Sequence, residues 1–168
     1  SEYINKMEIT FSYDGSVLLG TGGAIKKMLD RLTDYFFITY GDSYLDCEYR
    51  KIEVQFMGEI KNKKTGLMTV FSNKDKWDTS NVVFDGKNIK LYSKKNKIPA
   101  MDYIDYGVGI LNKNNFVDRI ENANFDLSEI YENLSKDENL IGFEIVNRFY
   151  EIGSFSGIED ISAYLKNK

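Results

Sequence analysis

The order of segments in this 168-residue chain predicts a mixed α/β fold, with a mostly parallel sheet flanked by helices. Three observations predict it. Apolar segments in the first half alternate between strand and helix periods, a hairpin signal sits in the middle, and two capping signals open helices in the last third. At this length the chain reads as one domain, residues 1–168, large enough to bury a real core.

Met7, Ile9, Phe11 and Tyr13 alternate with Glu8, Thr10 and Ser12, the period of a half-buried strand, and Asp14-Gly15 breaks it. A Gly20-Thr21-Gly22-Gly23 loop then opens a helix on which Ile25, Met28, Leu29 and Leu32 recur. Tyr35 to Tyr40 is short, aromatic and continuous, as expected of a strand covered on both faces. Asp46 to Met57 reads as a helix using Ile52 and Phe56 and stopped by Gly58. Leu67 to Phe71 is a strand. Asn81–Phe84 and Lys87–Tyr92 flank Asp85-Gly86, the strongest hairpin signal in the chain. Ile104 to Leu111 is a strand containing Gly107 and Gly109, which suggests close approach by a ligand or another backbone. Asp126 with Glu129, and Ser156 with Glu159, carry the capping spacing for helices over Leu127–Leu134 and Ile158–Leu165. Gly142–Asn147 and Phe149–Ile152 are strand-like, and no internal repeat or low-complexity tract appears.

Composition removes whole classes of chemistry. With no histidine and one cysteine, Cys47, the chain has no Ser-His or Cys-His pair and no intrachain disulfide. A reducing, cytoplasmic setting is therefore expected. Chemistry is left to carboxylates, lysines, hydroxyls and backbone amides. The formal charge of −4 supports neither a nucleic-acid nor an anionic-membrane surface. No apolar run approaches the ~20 residues that cross a bilayer. The chain begins at Ser1, so a native start further upstream is expected.

Asp42 follows a strand at its carboxyl end, the edge where open α/β sheets bind ligands, and a carboxylate there can hold Mg²⁺ with substrate phosphates. Gly41-Asp42-Ser43 is equally ordinary turn chemistry. The glycines at 20, 22 and 23 permit a ligand to approach main-chain amides, although a tight strand-to-helix turn explains them as well. Glu151 ends a short apolar strand before a capped helix, and the local sequence favours a solvated strand residue over a ligand. Lys95 sits in a basic cluster that is ordinarily just hydrated, and Trp77 and Tyr106 are aromatics that either stack on a ligand or pack the core.

Together these segments carry more than they do singly. The order Leu19-Gly-Thr-Gly-Gly-Ala24, Tyr40-Gly-Asp-Ser-Tyr44, Trp77-Asp-Thr-Ser-Asn81, the Asp85-Gly86 hairpin leading to Lys95, Asp105-Tyr-Gly107 and Tyr150-Glu-Ile-Gly-Ser154 resembles the sugar-1-phosphate nucleotidyltransferases. It looks closest to their heptose-1-phosphate guanylyltransferase branch, and the resemblance runs from Met7 to Leu165. It implies a nucleotide-diphospho-sugar transferase-like, Rossmann-like fold. It also implies that Leu19, Gly20, Thr21, Gly22 and Gly23, with Gly41 and Asp42, line the nucleotide. By the same resemblance Asp42 and Glu151 hold Mg²⁺, Lys95 reaches the sugar phosphate, and Asn81, Asp105 and Gly107 approach the sugar; Asp42 and Lys95 are the implied catalytic pair.

The implied reaction joins a nucleoside triphosphate and a sugar 1-phosphate with release of pyrophosphate, GDP-heptose being the first product expected. That chemistry needs positioning and charge neutralisation more than an acid–base pair, which suits a histidine-free site. The family's Gly-Gly-x-Gly-Thr-Arg-Leu signature is absent, Lys94-Lys95-Asn96 stands where many members carry Glu-Lys-Pro, and position 151 is glutamate where many carry aspartate. The chain is therefore expected to be an N-terminally truncated piece of such an enzyme, with a sheet edge left open. That edge would favour association, so a homo-oligomer is among the expected partners. A non-catalytic binding module is the alternative. A glycosyltransferase ranks third, because Asp42-Ser43-Tyr44 lacks the Asp-x-Asp pattern.

Overall fold

In the computed structural model, residues 8–117 and 124–168 are described. Helix α1 (Gly20–Lys27) leads through a 3₁₀ turn to strand β1 (Tyr35–Thr39) and the short β2 (Ser43–Tyr44). Helix α2 (Tyr49–Glu59) follows, then β3 (Gly66–Ser72), the hairpin β4 (Val82–Phe84) and β5 (Ile89–Tyr92), and the long β6 (Tyr103–Asn112). The chain ends with α3 (Leu127–Lys136), β7 (Leu140–Glu144), β8 (Tyr150–Glu151) and α4 (Phe155–Lys166).

The sheet is mixed, as expected, but its neighbours are not mostly parallel. Its order is β5-β4-β6-β3-β7, with β1 on β6 beside β4. β1, β3, β4 and β7 do run the same way. The antiparallel β6 separates β1 from β3, so among the described strands only β3 and β7 are parallel neighbours. A strand inserted late in sequence between two early ones leaves no trace in local periodicity.

Alternation along β3 and β6 divides the core into two layers. Met68, Val70 and Leu111 face a cluster formed with Leu127, Ile130, Tyr131 and Leu134 of α3. Leu67, Val108 and Ile110 face Ile52 and Phe56 of α2. The spacing of Leu127, Ile130, Tyr131 and Leu134 is one face of a helix, and each such buried side chain contributes about 1.5–3 kcal/mol. The expected capping box closes that helix: Asp126 accepts from the Ser128 amide at 2.8 Å, and Glu129 accepts from the Asp126 amide at 3.3 Å.

Four local expectations are corrected. Residues 8–13 form no strand; Ile9, Phe11 and Tyr13 are exposed. Alternation makes a segment competent to pair, but a strand also needs a partner edge, and among the described residues β1 pairs only with β6. β1 itself is open on one face, where Phe37 is 41% exposed and rests edge-on against Tyr49. Gly58 does not stop α2, which runs to Glu59; a 3₁₀ turn follows and ends at Lys63 with φ 61°. The last helix is capped by Ser154, not Ser156: Ser154 Oγ accepts from the Gly157 amide at 3.0 Å.

Candidate functional site

The site grows from a change of neighbours along β6. On one edge β6 bonds to β3 along its length. On the other, β1 covers Val108 to Asn112 and β4 reaches only Tyr103, leaving residues 104–107 between them. The register with β3 also shifts there, between Met68/Gly109 and Val70/Asp105. The buried Thr69 hydroxyl fills this bulge, donating to the Val108 carbonyl at 2.6 Å and accepting from the Val108 amide at 3.2 Å. Gly107 takes φ 103° inside the bulge, a conformation that a side chain would strain. Bulges re-aim side chains, and this one presents Asp105 through Gly107 to a gap in the sheet. The close approach expected at Gly109 is real but internal, because an added Cβ would lie 2.2 Å from the Tyr131 hydroxyl.

That gap is the floor of a cleft of about 240 Å³. Below the ~300–1,000 Å³ of a whole ligand pocket, it is the size of one subsite. Asn81, Asp105, Gly107 and Glu151 line it, with Tyr40, Asp78 and Lys94, and Ser43 brings the neighbouring Asp42 to its edge. Asn81 supports the floor directly, its Oδ1 accepting from the Asp105 amide at 3.0 Å. Asp105 Oδ1 in turn accepts from the Gly107 amide at 3.0 Å.

Asp42 and Glu151 are brought together by a separate two-stranded ribbon. β2 pairs antiparallel with β8, setting Ser43 opposite Glu151, and the Asp42 carbonyl accepts from the Ile152 amide at 2.8 Å. Their carboxylates differ in what they do. Asp42 is exposed, with Oδ1 accepting from Ser43 Oγ at 3.3 Å. Glu151 closes the turn ahead of α4: its Oε2 accepts from the amides of Gly153 at 2.7 Å and Ser154 at 3.1 Å, and its Oε1 from the Ser154 hydroxyl. The Ser154 hydroxyl, with those two amides, holds the Glu151 carboxyl below the ordinary glutamate range.

The cleft is acidic. Burial pushes the Asp105 carboxyl up to about 6, against the pull of the Gly107 amide and Lys94. Burial, and then the charges of Asp105, Asp126 and Asp42, holds the Tyr40 phenol well above its usual range. Lys94 is the one cation among the described lining residues, and its Nζ lies 3.6 Å from Asp126. Three lining carboxylates against one ammonium favour ligands that arrive with a cation. Among the described residues no cluster of three or more carboxylate or thiol ligands stands ready for a metal. A Mg²⁺ site usually takes one or two carboxylates, with water and phosphate oxygens as the other ligands. Asp42 and Glu151 are the two carboxylates at the ribbon's end, and both Glu151 oxygens already accept hydrogen bonds.

The glycine segment lies elsewhere, and it is helix rather than loop. Gly20 to Gly23 form the first turn of α1, and the amides of Gly22 and Gly23 both donate to the Phe125 carbonyl, at 3.1 and 3.3 Å. A Cβ on Gly22 would lie 2.1 Å from the Phe125 ring. Leu19 is tied on both sides, its amide to Asp14 Oδ2 at 2.9 Å and its carbonyl to the Phe125 amide at 3.1 Å. Thr21 Oγ1 donates to Asp126 at 3.3 Å and accepts from the Leu127 amide at 2.9 Å, locking α1 to α3. Gly41 is exposed, and Lys95 is exposed with its amide on Ser93 Oγ at 3.3 Å. Lys95 is not among the cleft residues; Lys94 is. Sequence reasoning passed over Tyr40, Asp78 and Lys94, each one or two places from a residue it had singled out. Side-chain direction, which needs the register, separates such neighbours.

No protein-family model matches the chain, and no curated protein matches it in sequence. Solved structures do match in shape. A protein described as a glucose-1-phosphate thymidylyltransferase from Bacillus anthracis, in complex with sucrose, aligns over 95% of this chain and 67% of its own length with TM-score 0.74 at 16% identity. HddC from Yersinia pseudotuberculosis aligns over 89% of this chain and 64% of its own, with TM-score 0.64 at 18% identity. A UDP-glucose pyrophosphorylase in complex with UDP-glucose aligns over the same shares with TM-score 0.66 at 16% identity. The chain thus spans about two thirds of the first of these structures and less of the other two. At such identities the likeness is one of fold, and the fold is that of the nucleotide-diphospho-sugar transferases.

Proposed function

We propose that this chain carries the sugar-phosphate and metal side of a nucleotidyltransferase that joins a sugar 1-phosphate to a nucleoside triphosphate. The observation that supports this reading most is the convergence of Asn81, Asp105, Gly107 and Glu151, from three separate segments, on one cleft beside Asp42. The shared fold adds to it. In the reaction a phosphate oxygen of the sugar 1-phosphate attacks the α-phosphorus. The new P–O bond forms as the bond to the bridging oxygen breaks, and pyrophosphate leaves with that electron pair. Asp42 and Glu151 would hold Mg²⁺, which neutralises phosphate charge when bound. Lys94 supplies a cation for the sugar phosphate, a role in which Lys95 is the neighbouring candidate. Asn81 and Asp105 offer hydrogen-bonding groups to sugar hydroxyls, and the exposed Gly41 is the backbone offered to the nucleotide, since the Gly22 and Gly23 amides already bond to Phe125.

We propose further that the active protein completes β1's open edge with an upstream segment bearing the triphosphate-binding loop. The pairing of β1 with β6 alone among the described strands, and the exposed, alternating Ile9, Phe11 and Tyr13, support this. Guanine with a heptose is the first base–sugar pair to try. The test is Mg²⁺-dependent pyrophosphate release over a panel of nucleoside triphosphates and sugar 1-phosphates, for this chain and for a version extended upstream. Turnover of one pair, abolished by Asp42→Asn in a protein that stays folded, is the expected result. Normal turnover by that variant overturns the metal assignment.

A second reading is a non-catalytic binding module. It is favoured by two groups already engaged within the chain: the Gly22 and Gly23 amides on Phe125, and the Glu151 carboxylate on the Gly153 and Ser154 amides. Silence from both folded versions, with retained binding of sugar phosphate, selects it.

A further inference from the structure

The two walls of the cleft are joined by one side chain. The first wall is the loop from Asn73 to Asn81. Its Asn73 is 2% exposed, and its Nδ2 donates to the Asp78 carbonyl at 2.6 Å and to Ser80 Oγ at 3.1 Å. Its Oδ1 accepts from the Trp77 amide at 3.2 Å. Asp75 and Ser80 exchange two further bonds, at 2.8 and 3.0 Å. These bonds hold Lys74 and Asp75 at φ 47° and 57°, so the loop is a fixed platform. Trp77 stands out from it, 42% exposed.

The second wall is β8 with its ribbon partner β2 and the helix α4, elements that pack chiefly on one another. Arg148 reaches from this wall to the platform. Its guanidinium lies 3.5 Å from the Trp77 ring centroid and 4.8 Å from that of Tyr150, and Tyr150 stacks on Tyr164 of α4 at 4.7 Å. Its Nη2 donates to Asp160, while its Nε is buried without a partner. Hydrogen bonding thus holds one end of the guanidinium, and its centre lies over both rings. Asp78 follows Trp77 and Phe149 follows Arg148, and both line the cleft. The stack therefore lies directly behind the place where the walls face each other.

We infer that Arg148 is a positioning residue whose guanidinium, clamped between Trp77 and Tyr150, sets the separation of the two cleft walls. The inference rests on the reading of the cleft as the ligand site, and its first test does not. A planar guanidinium stacks on an indole face as an ammonium does not, so the geometry separates arginine from lysine. Trp77 is the chain's single tryptophan, which makes its fluorescence a local reporter.

The experiment is amide hydrogen exchange on the full chain with Arg148→Met, Arg148→Lys and Trp77→Leu, alongside iodide quenching of Trp77 in the two Arg148 variants. All three substitutions are expected to speed exchange of the Tyr150–Gly157 amides about tenfold while the β3 amides stay unchanged. Both Arg148 variants are expected to raise iodide access to Trp77. Wild-type protection in Arg148→Lys would mean that charge pairing with Asp160 holds the wall, which overturns the proposal. Unchanged protection in Trp77→Leu overturns it as well. For any base–sugar pair that turns over, Arg148→Met is expected to raise KM for the sugar 1-phosphate about tenfold with kcat within about twofold. Equal loss in both parameters would make Arg148 part of the chemistry and overturn its positioning role. Absence of turnover by the wild-type protein would count against the proposed function alone, because the exchange arms decide the clamp without it.

Discussion

The two walls of the cleft are built on different physics. The Asn73–Asn81 wall is tied by bonds made inside the fold, with Asn73 and Ser80 buried, and it follows directly from β3 of the core. The β8–α4 wall is tied by exposed and half-buried groups: the Glu151 turn, the Arg148–Asp160 pair, and Asp46 accepting from Tyr164 at 2.7 Å and Lys168 at 3.2 Å. A buried polar group left without its partner is costly, whereas exposed ion pairs contribute little. The first wall should therefore unfold only with the whole protein. The second belongs at the low-stability end, where binding elements commonly lie.

The largest break expected in this contrast is Asn73→Ala. It strands the Trp77 amide and the Asp78 carbonyl, leaves Ser80 Oγ with the Asp75 amide alone, and should lower global stability by about 3 kcal/mol in urea unfolding. A loss below about 1 kcal/mol would show that the platform is not part of the cooperative core.

Asp105→Asn comes next, with the opposite sign. The Asp105 carboxyl titrates near 6 in the folded protein and near 3.8 unfolded, so the native state binds the proton more tightly. Wild-type stability should then fall as pH rises from about 4 to 6. Asparagine keeps an acceptor for the Gly107 amide and carries no charge. The variant should gain about 2 kcal/mol over wild type at pH 7, a gain that vanishes below pH 4. A gain independent of pH would remove burial of the charge as its cause.

The smallest effect is expected at Ser154→Ala, which removes a cap worth about 1 kcal/mol to α4. The loss should appear as faster exchange of the first α4 amides with little change in global unfolding. The Glu151 carboxyl is held low, so its own contribution should be present at neutral pH and fade as pH falls through the acid range. Loss of global stability at Ser154→Ala equal to that at Asn73→Ala would erase the contrast between the walls.

Much of this was legible in the chain. The Asp126–Glu129 box, the Asp85-Gly86 hairpin, β3 and β6 follow from local signals, because capping and turn chemistry act within four residues. The convergence of Asn81, Asp105, Gly107 and Glu151 was anticipated through family resemblance, while periodicity alone left each of them open. The corrections share one cause. Residues 8–13 have the pattern of a strand without a partner, and Gly22 and Gly23 have the pattern of a ligand loop while bonding to Phe125, about a hundred residues away.

Residue order thus settled the kinds of most elements and the exclusion of histidine and intrachain disulfide chemistry, because these depend on composition and on neighbours within a turn or two. Folding in three dimensions settled which strand divides β1 from β3, that Lys94 rather than Lys95 meets the cleft, and that Arg148 spans its two walls. Those outcomes depend on strand register and on contacts between distant segments, where a shift of one residue turns a side chain to the opposite face.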